Sequence, residues 1–134
     1  MSKREVDKLI RNAYEVIDKV GIALDGKINS TYCGYISTFG AAIARGGLLS
    51  AVAFFQQKAE RTEQEDSTKA DRTKISEALI KLLSEDGKYK SLADYVMDWK
   101  GSKILLKERV LSAAVALKLA MCLYVIEKEK DSNG

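Results

Sequence analysis

Lys103, Lys107 and Lys118 stand in the last long apolar-rich segment of the chain, and at 3.6 residues per turn their side chains fall within a narrow arc. Ammonium groups along one helix edge suit phosphate, because each neutralises a backbone charge and releases a counterion. Arg45 adds a guanidinium beside Gly46-Gly47, a corner that lets another backbone come close. These four residues are the candidate phosphate contacts. The lysines also fit a plainer role, in which long stems snorkel out of a buried helix and keep it soluble. Leu49 and Phe55 suggest a different chemistry. The segment from Leu48 to Ala59 carries more apolar residues than one buried stripe needs, so part of it is expected to meet another subunit, with these two as the candidate contacts.

Catalytic chemistry is hard to place on this chain. It contains no His, which removes Ser-His-Asp and Cys-His catalysis, His-based metal sites and the commonest general acid or base. No GxxxxGK[ST] loop occurs, and no GxGxxG follows a strand. Glu60, Glu63, Glu65 and Asp66 are close in sequence, but in a polar stretch without rigid flanks they read as solvated charge and not as metal ligands. Cys33 and Cys122 lie in apolar surroundings without CxxC spacing, so a core position is expected for both. The aromatic residues mostly share apolar faces at helical spacing and are not interleaved with Lys or Arg, as a base-stacking surface would require. No metal, no cofactor and no enzymatic activity are expected.

The elements that must carry these residues are helices. Val6, Leu9, Ile10, Ala13, Val16, Ile17, Val20 and Leu24 mark one face of a first helix, with Ser2 and Glu5 spaced as a capping box. Asp25 to Ser30 is turn chemistry, after which Asn29 or Ser30 caps a second helix through Tyr32, Tyr35, Ile36, Phe39 and Ile43 to Gly46-Gly47. A short apolar helix follows, then a polar connection near 60–72. Ile75, Ala78, Leu79, Leu82 and Leu83 restore the period for a fourth helix, with Gly87 as its left-handed stop. Ser91 opens a fifth through Trp99, and Ser102 opens a sixth expected to run to about Lys128. From Val110 to Ile126 its only charge is Lys118, so it is expected to be the buried central strut.

The chain has 134 residues, 46% of them hydrophobic and 31% charged, which suits one globular domain. It has no Pro, where average usage of roughly 5% predicts several, and that favours long unbroken helices. The expected fold is therefore all-α: a compact bundle of about six helices in a single domain, 1–134. With 22 Lys plus Arg against 19 Asp plus Glu, the net charge of +3 is a weak argument for nucleic acid, and distribution has to decide. No apolar run has the length and flanks of a signal or membrane segment, so a cytoplasmic protein is expected.

One segment carries a family resemblance. Phe39-Gly40, then an apolar helix to Gly46-Gly47-Leu48, then Val52-Ala53-Phe54-Phe55, resembles the signature of the small helical subunit of the type III-B CRISPR Cmr complex. That family commonly reads L-P, an apolar helix, N-G-L and L-A-F-L; here its Pro and Asn are replaced while the spacing is kept. Leu92-Ala93-Asp94-Tyr95-Val96-Met97-Asp98-Trp99 is similar to the family's later Tyr/Leu/Trp helix, and Leu117-Lys118 to its apolar-Lys step. The resemblance implies a non-catalytic subunit that stacks with copies of itself along backbone subunits and beside a large subunit, its basic face on guide RNA and target RNA. Base pairing reads the sequence there, so the subunit needs only to neutralise phosphates and hold shape. A small subunit of a related CRISPR complex, or a helical adaptor that binds only protein, are the alternatives.

Overall fold

Apolar residues at helical spacing form α1 (Lys3–Lys19), which buries Ala13, Val16 and Ile17 and turns its charges outward. The computed structural model describes residues 3–57 and 70–128, so the Ser2 cap, the carboxylates at 60, 63, 65 and 66, and most of the polar connection lie outside the described residues. Five further helices follow: α2 (Ser30–Gly46), α3 (Leu48–Gln56), α4 (Thr73–Leu83), α5 (Leu92–Asp98) and α6 (Lys103–Met121). The all-helical reading holds, and the helix starts have the expected causes. Asn29 accepts a hydrogen bond from the Thr31 amide at 2.9 Å, Ser91 from the Asp94 amide at 3.1 Å, and Ser102 from the Leu105 amide at 3.4 Å.

α6 is the strut. It packs on α1, α2 and α4, and its inner face presents Ala113, Ala114, Ala116 and Ala120 between Leu106, Val110, Leu117 and Met121. Small side chains let three helices approach one axis closely. The expectation that this helix is buried nearly all round is corrected, however. Ile104, Leu105, Val115 and Leu119 face solvent, because neighbouring helices cover only one side.

Several boundaries differ from expectation: α1 stops at Lys19, so Leu24 falls in a strand, and α3 stops at Gln56. α6 stops at Met121, because Val125–Glu127 is a strand, β3, and not a last helical turn. It pairs in parallel with β2 (Lys27–Asn29), which pairs antiparallel with β1 (Ala23–Leu24). The β1–β2 link is Asp25-Gly26, with φ of 54° and 76°. Two successive positive φ values are those of a type I′ turn, whose twist suits a two-residue hairpin. β3 joins from about 100 residues away, so no local alternation marks it. Gly87 is left-handed as expected, at φ 73°, but it closes a turn onto the Ser84 carbonyl beyond the end of α4.

The remaining helices close the core around aromatic contacts. Phe55 meets Phe39 edge-to-face at 5.1 Å and Tyr35 at 6.3 Å, which locks α3 onto α2. The Gln56 side chain accepts a 2.8 Å hydrogen bond from the Ala93 amide, tying α3 to the start of α5. On α5 and after it, Trp99 donates its indole N–H to the Ser102 carbonyl at 2.9 Å. That indole lies so near Gly101 that a Cβ there would stand 3.2 Å from the ring.

Candidate nucleic-acid interface

Lys103, Lys107 and Lys118 are all exposed on α6. They occupy an arc of about 60° and span about 22 Å of helix. The arc overlaps the margin of the buried face, since Ala114 falls within it and is buried, and Leu111 at its side is half-buried. Among the described residues no carboxylate forms an ion pair with any of the three, nor with exposed Arg45; the ion pair there is Lys27–Glu127 at 3.3 Å. Within the described residues all four cations are thus available to an external anion.

Their placement separates into two kinds. Arg45 and Lys118 lie in the last turns of α2 and α6, where the helix dipole favours a cation, so local stability accounts for them in part. Lys103 sits in the first turn of α6, at the positive end of the dipole, and repels Lys107 one turn on. Neither effect helps the helix.

The small sheet relates α2 to α6. Asn29, just before α2, is in register with Glu127, just after α6, so α2 sets out from the end at which α6 finishes. Cys33, in the first turn of α2, has its thiol pushed up by burial and by neighbouring Cys122, while Lys118 pulls it the other way. The lysine edge of α6 therefore borders α2. Arg45 stands twelve residues further along α2 than Cys33, about 18 Å away. The three lysines share one edge of α6, and Arg45 stands on the adjoining helix α2.

The two cysteines depart from expectation: Cys33 is only partly buried and Cys122 is exposed, because α6 ends before the core closes over it. The partner-contact expectation for α3 divides. Leu49 is 49% exposed, but Phe55 is 1% exposed and is core, held by Phe39 and Tyr35. The outward aromatic is its neighbour Phe54, 53% exposed, with the Arg72 guanidinium 4.5 Å over its ring. Adjacent phenylalanines differ by 100° on a helix, and a nine-residue apolar segment does not reveal which one points inward.

Sequence reasoning also missed cations brought to aromatic rings by the fold. Arg109 lies 5.6 Å from the Trp99 ring centre and Lys88 lies 5.3 Å from that of Tyr89, at either end of a contact chain through Tyr95. Ten residues separate Trp99 from Arg109, and only the corner at Gly101 brings them together. A groove of about 780 Å³ between α1 and α4 contains Lys8, Lys19, Lys81 and Lys90, but Glu15, Glu77 and Glu85 share it. Its charges nearly cancel, so it is a poorer phosphate track than the α6 edge.

Among the described residues no group of three or more His, Cys, Asp or Glu side chains is placed to hold a metal ion, and no helix is long and apolar enough to cross a membrane. Comparison with curated proteins and with solved structures gives no match. The family model described as CRISPR-associated protein (Cas_Cmr5) matches residues 6–120, from the first turns of α1 to the last turn of α6, and the chain belongs to that family.

Proposed function

We propose that this chain is a non-catalytic small subunit of a CRISPR RNA-guided, RNA-targeting effector complex, and that it holds guide and target RNA through Arg45, Lys103, Lys107 and Lys118. The observation that carries the reading is the family match over α1 to α6, which includes the helices bearing all four cations. Their lack of ion pairs among the described residues supports it, as does the costly position of Lys103. The subunit stacks with copies of itself along the backbone subunits and beside the large subunit. Leu49 and Phe54, the large exposed apolar residues of α3, serve as contacts to a neighbouring subunit. The chain has no His, and among the described residues no group of three or more carboxylates or thiols is placed to hold a metal ion, so this reading assigns RNA cleavage to other subunits.

The test is to change all four cations to Ala and measure target-RNA binding by the assembled complex across salt concentrations. Incorporation of the variant is checked first. Each single-strand phosphate contact contributes roughly 0.7 to the slope of log K against log salt, so affinity and slope should fall together. Unchanged affinity and slope would return the lysines to a snorkelling role and favour a protein-only adaptor.

A further inference from the structure

The outward face of α6 carries apolar residues with two charges among them, is left largely uncovered by the described residues although its α2 side is bordered at Leu111, and follows a regular pattern. Ile104, Glu108, Leu111, Val115, Lys118 and Cys122 recur at alternating intervals of four and three residues, the spacing of a coiled-coil seam. All six fall within an arc of about 80°, turned away from the buried alanine face. Ile104 is 74% and Val115 55% exposed; Glu108, Lys118 and Cys122 are exposed, and Leu111 is half-buried. Neither Glu108 nor Lys118 has an ion-pair partner among the described residues.

We propose that free copies of this chain pair through this face, the two α6 helices antiparallel about a two-fold axis level with Ala113, so that Glu108 of each copy meets Lys118 of the other. Charge placement selects this occupant and this register. About that axis Ile104 faces Cys122 of the second copy, Leu111 faces its Val115, and Glu108 faces its Lys118, each contact occurring twice as an isologous interface requires. A parallel pair in register would set Glu108 against Glu108 and Lys118 against Lys118. An antiparallel pair slipped by one heptad would leave both charges against apolar residues or beyond the end of the helix. A charged residue inside such a seam costs stability and specifies register, so the pair is concentration-dependent and singular in its geometry. It closes on itself, unlike an open stack. Lys118 is shared with the proposed RNA edge, so the pair belongs to the RNA-free protein.

Light scattering on the RNA-free chain across a concentration series tests this. The mass should rise from 14.8 kDa toward twice that value. Glu108→Lys alone and Lys118→Glu alone should each return it to the monomer, and the two together should restore the dimer. All these positions are exposed, and circular dichroism confirms that each variant keeps its helix content. In a Cys33→Ser background, Ile104→Cys places a thiol opposite the native Cys122 of the second copy, and mild oxidation should give a covalent dimer. A wild type that stays monomeric throughout, a dimer indifferent to both single reversals, a double reversal that does not recover, or a Cys122–Cys122 cross-link in its place would overturn the proposal. No arm uses RNA, so the outcome is independent of whether the lysine edge binds it.

Discussion

The phenol of Tyr124 donates a 2.6 Å hydrogen bond to the backbone carbonyl of Tyr14, and the two rings stack with centres 4.5 Å apart, 110 residues apart in sequence. The contact fastens the segment after α6 to α1, and it sets the direction from which β3 reaches the small sheet. Tyr124→Phe keeps the ring and removes the hydroxyl, so urea unfolding should show a loss of about 1 kcal/mol. Tyr124→Ala should cost more, adding about 0.5–1.5 kcal/mol for the stack. Equal stability of the wild type and both variants would mean that the staple does not hold the fold.

On α3 the expected result separates two adjacent rings. Phe55→Ala should destabilise by about 3–5 kcal/mol, since it empties a site between Phe39 and Tyr35. Phe54→Asp and Leu49→Asp, at exposed positions, should leave the melting temperature close to wild type and reduce incorporation into the effector complex. Normal incorporation of both Asp variants would remove α3 from the subunit interface.

The corner between α2 and α3 depends on Gly47, at φ 96° and ψ 162°, whose amide donates to the Ile43 carbonyl at 3.2 Å. No atom lies within 4 Å of where a Cβ would stand, so the penalty for Gly47→Ala is conformational alone. It should be about 1–3 kcal/mol, read as a lower denaturation midpoint with an unchanged m-value. A neutral substitution would show that the corner can adopt an ordinary backbone conformation.

Asp86 accepts hydrogen bonds from the Ser84 hydroxyl at 2.9 Å and the Lys88 amide at 3.1 Å. The amide bond first, and the hydroxyl second, hold its carboxyl below the ordinary value of 3.8. A depressed folded-state value means that the stabilisation is present above the unfolded value and is lost as pH falls through the folded one. Wild type should therefore be the more stable at neutral pH, and Asp86→Asn should narrow the gap as the solution is acidified below about pH 4. A gap independent of pH would exclude the carboxylate as its cause.

How much of this was legible in the sequence depends on whether the informative contact was local. α1 was readable because Val6, Ala13, Val16 and Ile17 recur on one side against charged residues; the starts of α2, α5 and α6 were readable because Asn29, Ser91 and Ser102 act within three residues of themselves. α6 was readable as a helix but not as a surface. Leu, Val and Ala occupy both its faces, and only the packing of α1, α2 and α4 decides that Ala113 is inside and Val115 outside. β3 and the Arg109–Trp99 contact were hidden for the same reason. Their partners are supplied by tertiary structure, and no period within Val125–Glu127 or Lys103–Met121 encodes them.

Lys103 allows the sharpest separation of the two roles available to the α6 lysines. In the first turn of its helix it opposes the dipole, and it repels Lys107 four residues on. Removing its charge should therefore stabilise the free protein, with Lys103→Ala gaining about 0.3–1 kcal/mol at low salt and less as salt screens the field. If the same residue contacts phosphate, that variant should bind RNA more weakly within the complex and reduce the salt slope by roughly 0.7. A gain in stability combined with a loss in binding is what a residue kept for a ligand shows. Lys118→Ala, in the last turn, should lose on both counts, because there the dipole favours the charge. Thermal melts of the two variants and salt titrations of the complexes that contain them give four numbers whose signs are fixed in advance. A Lys103→Ala variant that gains stability with no change in RNA affinity or slope would leave Lys103 without a role in holding RNA.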